Sequence, residues 1–255
     1  MASIQLEDQP GISPSESSSL GTAMTDSFIA TLAELDEAGW NTITRCAPWT
    51  IKDMVAHLIG WAEALTSFRE LGVQSRRALG RVKEFGNIVD AQNAVQVDDR
   101  SSLTGAEILE RARDRLPAEV RARKRYGTGL RYVPFYMPYL GGKTNAGYLF
   151  NTIFLRDLLV HRLDIADALD TEPVLTDAEE RVAADMLKEW ARRTGADAQV
   201  ISGDDFYVAG AGINTITAPL HHVIDVLSGR RDPTTLDITG DRTSVEGWLA
   251  QGVPV

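Results

Sequence analysis

Two residues four apart, Asp157 and His161, interrupt a segment that is otherwise apolar nearly all round. On a helix they lie one turn apart on one face. They share a stripe with Phe150, Ile153, Phe154, Ile165 and Ala168. A carboxylate buried there without a partner would cost several kcal/mol or take up a proton. Two arrangements compensate it. One is a hydrogen-bonded pair between the carboxylate and a protonated imidazole. The other is a divalent metal, since a carboxylate and an imidazole at this spacing suit one Zn²⁺-like ion. A third ligand must then come from another helix, and His57 is the candidate. It sits within Asp53-Met54-Val55-Ala56-His57-Leu58, with Met54 and Trp61 one turn away. From these residues alone both arrangements stay open. His221 and His222 are the other two histidines of the chain. Adjacent residues point to different sides of a helix, so they read as structural. Cys46 is the single cysteine, which excludes an internal disulfide framework and a cysteine-based zinc knuckle. It reads as a loop or core thiol.

The elements that must carry these groups follow from periodicity and caps. Residues 1–20 are rich in Ser, Pro and Gly and read as a loose, disordered tail. Met24, Phe28, Leu32 and Leu35 give a helical stripe from Thr22 to Gly39. Thr50-Ile51-Lys52-Asp53 forms a capping box with Asp in the place of Glu, opening a helix to about Gly72. Residues 73–100 read as a short helix near 77–85 and a connection. Thr104-Gly105-Ala106-Glu107 caps a helix to about Lys124. Residues 125–144 mix aromatics with Gly and Pro, which suits either a lid or pocket wall, or a loop pinned by its rings. The apolar helix bearing Asp157 and His161 spans about 145–169. Beyond it Thr176 caps a further helix, and 198–202, 206–209 and 236–239 read as strands, with helical stretches near 218–227 and 244–250. The fold class expected is α+β: a helical bundle over 21–172 and a small C-terminal α/β domain over 173–255.

Composition narrows the function. The chain has 255 residues, 26 Lys+Arg against 36 Asp+Glu and a net charge of −10. An acidic surface disfavours nucleic acid. The first residues carry no basic, apolar secretory pattern, and no apolar run approaches the roughly 18 residues of a membrane span. The expected location is the cytoplasm, with no membrane or nucleic-acid partner, as a monomer or homodimer. Only five of the basic residues are lysine, a bias that suits a GC-rich, actinobacterial source.

At these residues the chain resembles the mycothiol-dependent maleylpyruvate isomerase family of the DinB-like metalloenzyme superfamily. The resemblance rests on Trp40 and the run Cys46–Leu58, and on the segment from Arg156 through Asp157, His161 and Asp164 to Ala166. It extends through Ala218-Pro219, Leu227-Ser228-Gly229-Arg230, Gly240-Asp241 and Trp248. It implies a DinB-like four-helix bundle and a divalent metal, usually zinc, held by His57, Asp157 and His161. Asp157 stands where the isomerase has the longer Glu, so helices or ion must shift slightly. The resemblance further implies mycothiol as the thiol cosubstrate and Arg230 as the residue that meets an anionic substrate or that thiol. Arg231 competes for this role, and Asp164 reads either as an orienting group or as a packing ion pair.

Three protein ligands leave a coordination position open, as catalytic zinc sites do. A small thiol there loses its proton and attacks an electrophile. Reversible addition gives isomerisation; a retained adduct gives S-transfer. The expected function is therefore a thiol-dependent metalloenzyme acting on a small electrophile. Its rivals are a hydrolase using metal-activated water and a non-catalytic small-molecule-binding protein on the same fold.

Overall fold

The computed structural model of the chain describes residues 2–137 and 142–255. Helix α1 (Pro14–Ala33) starts on a capping box in which Ser13 and Glu16 satisfy each other's backbone amides, with Pro14 in its first turn. A short α2 (Glu37–Trp40) follows. The capping box at Thr50 opens α3 (Ile51–Thr66). This helix stops short of Gly72 because Ser67 turns extended and caps a new helix, α4 (Phe68–Phe85). Gly86, at φ +81°, ends α4 in the left-handed conformation, and Asn87 caps α5 (Ile88–Asp98). Residues 73–100 are thus mostly helical, where a single short helix was expected. Helix α6 (Gly105–Gly129) runs a turn beyond its expected end.

Residues 125–144, expected as either a lid or pocket wall or a pinned loop, contribute the end of α6 and most of an antiparallel pair of strands, β2 (Pro134–Met137) and β3 (Gly142–Asn145). Tyr139 and its neighbours 138–141 lie outside the described residues. Tyr132 and Tyr136 are 80% and 71% exposed, so these rings face solvent. Tyr126 packs on Phe150 instead, at 5.5 Å between ring centroids. The chain then forms α7 (Ala146–Tyr148), a π-helical turn (Leu149–Ile153) and α8 (Phe154–Ala168). The π turn, in which the Phe154 amide reaches back to Leu149, comes just before Asp157. Such turns re-aim side chains and recur at functional sites.

Helices α1, α3, α6 and α8 pack on one another, and the α4–α5 pair covers α3. Helix α9 (Asp177–Thr194) joins this helical layer to a five-stranded mixed sheet. The sheet comprises β1 (Ala2–Gln5), β4 (Ala198–Ser202), β5 (Asp205–Ala209), β6 (Asn214–Thr217) and β7 (Asp237–Thr239), in the order β1-β5-β4-β6-β7. Helices α10 (Leu220–Leu227) and α11 (Arg242–Leu249) complete it. The fold is α+β. One hydrophobic core runs from Phe28 and Ile59 among the helices through Trp190 to Val200 and Ile216 in the sheet.

The N-terminal stretch corrects the expectation of a loose tail. Residues 2–5 pair in parallel with β5, Leu6 is buried in the core, and α1 begins at Pro14 rather than Thr22. The strand's partner lies some 200 residues away, so no local pattern announces it. A second long-range clamp is Arg156, fully buried on α8. It bridges Asp185 and Glu189 of α9, each at 2.8 Å, and donates to the carbonyl of Pro254 at 3.1 Å.

Candidate metal centre

Facing turns of α3 and α8 bring His57, Asp157 and His161 together, with one donor atom from each within 4.8 Å of the others. Nε2 of His161 is 3.3 Å from one Asp157 oxygen, and Nε2 of His57 is 4.0 Å from the other. A tetrahedral ion with bonds of 2.0–2.1 Å separates its ligands by about 3.3 Å. The spacing therefore needs only a small side-chain rotation to match. Both imidazoles are buried, while the Asp157 side chain is a quarter exposed. The two rings meet edge to face at 5.6 Å, and Trp49 packs against His57 at 5.3 Å.

The opposite ring nitrogens decide the chemistry of the donors. Nδ1 of His57 lies 3.0 Å from Oε1 of Gln96 on α5. Gln96 is fully buried and is itself fixed: its amide donates to Gln74 at 3.0 Å, and Gln74 donates to the Gly60 carbonyl at 3.1 Å. Nδ1 of His161 lies 3.0 Å from an Asp164 oxygen. Each Nδ1 faces an acceptor and so carries a proton, which turns each Nε2, the atom a metal would use, toward Asp157. This is the tautomer and orientation that a metal requires.

Electrostatics agree. Burial pushes His57 down to about 4, so its ring is neutral at physiological pH. For His161 burial acts the same way, but Asp157 and Asp164 outweigh it and hold it well above the ordinary histidine value. Asp157 is held low: burial opposes its charge, and His161 overcomes that. Without a cation the pair is a proton-bridged carboxylate and imidazole. A cation bound there would take the place of that proton.

Asp164 is the anchor behind His161. It is fully buried and receives Nε and Nη2 of Arg230 at 2.7 and 2.9 Å and Nε of Arg45 at 3.2 Å. Cys46 Sγ lies 3.4 Å from the same carboxylate. Arg45 also makes a two-pronged pair with Asp225 of α10, at 2.8 and 3.0 Å. The arginine singled out in the sequence, Arg230, is thus near the centre, but its fork closes on Asp164 and its remaining Nη1 on the Ser228 carbonyl at 3.4 Å. This arrangement supports His161 and does not offer a free fork to an incoming anion. Arg231 pairs with Asp225 at 3.8 Å. His221 and His222 are outside the triad; His221 faces Glu172 at 3.3 Å.

Residues 22–166 match the mycothiol maleylpyruvate isomerase N-terminal domain. The chain belongs to that family. Two solved structures share its fold: the mycothiol-dependent maleylpyruvate isomerase, and a histidine-to-alanine mutant of it. The mutant aligns with a TM-score of 0.56 at 16% identity, covering 94% of this chain and 96% of its own. The other aligns at 0.55 and 16%, covering 91% and 93%. No curated protein matches the chain by sequence.

Sequence reasoning did not find Gln96, Gln74, Arg45 or Asp225, and it read Cys46 as a loop or core thiol without placing it beside Asp164. One local signal pointed to Gln96. Gly60 stands mid-helix in α3, and a Cβ there would collide with the Gln96 side chain. The glycine marks the close approach of α5, but not which residue approaches.

Proposed function

We propose that this family member is a mycothiol-dependent metalloenzyme, an S-transferase or a maleylpyruvate-isomerase-like enzyme, acting on a small electrophile. The centre is His57, Asp157 and His161 on a DinB-like four-helix bundle spanning about 21–172, with 173–255 as the C-terminal α/β domain. The observation that carries the reading is the convergence of two Nε2 atoms and a carboxylate oxygen while both Nδ1 protons are held by Gln96 and Asp164. Bound there, a divalent cation such as Zn²⁺ supplies the charge that keeps a thiol ionised near neutral pH.

The chain's own residues do the rest. Gln96 and Asp164 fix the tautomers and ring planes of the two histidines. Arg230 and Arg45 hold Asp164 ionised and in place, so Arg230 is a positioning residue. Asp157, a quarter exposed, is the ligand candidate that solvent and a small thiol can reach. The partly buried ring of Trp49 packs on the buried ring of His57 and shields it on the α3 side. The cytoplasm, where small thiols are kept reduced, is the compartment this chemistry needs.

Metal analysis of the purified protein tests the centre, with about one ion per chain expected and clear loss in His57→Ala and His161→Ala. Product analysis with and without mycothiol tests the reaction. Thiol-independent turnover would make the enzyme a hydrolase. A folded protein that holds no metal, and whose ligand binding is unchanged in both variants, would make it a binding protein.

A further inference from the structure

A second cluster of metal-ligating side chains stands apart from the α3–α8 centre. His221 and His222 occupy the first turn of α10, and Glu172 lies in the connection between α8 and α9. One donor atom from each of the three comes within 4.8 Å of the others. Adjacent helix positions diverge, which is why both histidines read as structural in the sequence. Their rings nevertheless turn toward each other, 4.5 Å apart between centroids and 74° between planes. Nε2 of His221 is 3.3 Å from a Glu172 oxygen, which matches the distance between two ligands of one tetrahedral ion.

His221 is the group that calls for a ligand. Its side chain is only 10% exposed, yet its buried Nε2 makes no hydrogen bond among the described residues. Glu172 is near it but outside hydrogen-bonding geometry, and at 75% exposed its carboxylate stands largely in solvent. A buried polar atom without a partner is costly. A cation on Nε2 would remove that cost and draw in the exposed carboxylate. The other charges nearby are committed: Asp225, one turn along α10, is held by Arg45 at 2.8 and 3.0 Å, and Arg231 lies 3.8 Å from Asp225. Burial, then His222, lowers the pKa of His221; burial, then Arg231, lowers that of His222. Both rings are therefore neutral near pH 7, the form in which imidazole binds a metal.

We propose that Glu172, His221 and His222 form a second site for a divalent transition-metal ion such as Zn²⁺, sharing no ligand with the α3–α8 centre. Two imidazoles select such an ion over Mg²⁺ or Ca²⁺, which prefer shells of oxygen. With an exposed carboxylate as its third ligand, the site is weaker and exchanges faster than the buried centre. It empties during purification and refills when zinc is added back. The bound ion ties the connection that follows α8 to the start of α10.

The test is equilibrium dialysis of the full, metal-stripped chain against micromolar free Zn²⁺, with thermal melts to confirm folding. His57→Ala removes a ligand of the first centre and should still take up about one ion per chain. In that background His222→Gln should abolish the uptake, and Glu172→Gln should weaken it at least about tenfold. Glu172 is exposed, so its variant is not confounded by misfolding. Millimolar Mg²⁺ should not displace the ion. Zinc uptake by His57→Ala that neither substitution changes would overturn the proposal, as would no uptake at all, or displacement by Mg²⁺. Should His57→Ala not fold, the parent is compared directly with His222→Gln and Glu172→Gln: loss of about one ion per chain supports the site, and equal uptake overturns it. The two metal sites fail separately. Zinc that is lost in His222→Gln but untouched by His57→Ala keeps this site and sinks the α3–α8 centre; the reverse keeps that centre and sinks this site.

Discussion

Gln96→Leu removes no ligand, yet the structure predicts that it weakens zinc binding about 10–100-fold. Gln96 touches the centre only through the 3.0 Å contact of its Oε1 with Nδ1 of His57. Leucine keeps the bulk and removes both polar ends. The His57 N–H then has no acceptor, and Gln74 loses the donor it receives at 3.0 Å. A buried polar group left without a partner costs about 1–3 kcal/mol. Assigned to the ligating tautomer, which alone requires that acceptor, the cost corresponds to about 5–150-fold in affinity. Loss of a partner behind a ligating histidine in general costs about 10–100-fold. Gly60→Ala should act in the same direction without touching any polar group, because the new Cβ and the Gln96 side chain cannot share the space. The assay is competition for zinc against a chelator of known affinity, with thermal melts of the metal-free proteins to confirm folding. Both variants folded and binding zinc within twofold of the parent would refute the claim that α5 sets the His57 donor.

The remaining predictions concern protons and packing. His57 has a folded value of about 4, depressed from 6.5, so its neutral form contributes about 3 kcal/mol that is present above pH 6.5 and lost as pH falls toward 4. His161 is raised instead; its contribution to the metal-free protein is full below pH 6.5 and is lost as pH rises through the folded value. Melts of metal-free protein should therefore decline on both sides of about pH 6.5, while His57→Gln should lose the acid-side decline; an unchanged acid limb would contradict the assignment. Arg156→Met leaves Asp185 and Glu189 of α9 with a buried charge unmatched and should lower the melting temperature by about 10 °C or more. A fall of only a degree or two would mean that α9 is held to α8 by apolar packing alone.

Local elements and the identity of the ligand candidates were legible along the chain. Capping boxes at Thr50, Thr104 and Thr176 start helices where the spacing of hydroxyl and carboxylate predicts them, because a cap is satisfied within four residues. The i, i+4 spacing of Asp157 and His161 placed them on one face of α8 for the same local reason. Breaks that depend on one residue's backbone were harder to read: Ser67 splits what looked like a single helix, and the Ser13 box pulls α1 back into the supposed tail.

What surrounds the ligand candidates depends on long-range packing. Asp164 was legible as either an orienting group or an ion pair, and it is both, because Arg45 and Arg230 arrive from distant segments to hold it against His161. Gln96 and Gln74 carry no periodic signature that distinguishes them from surface glutamines until α4 and α5 fold over α3. The first strand finds its partner some 200 residues away. A cap or a helical face is fixed by neighbours along the chain, whereas a proton's position on an imidazole is fixed by whichever acceptor packing brings beside it.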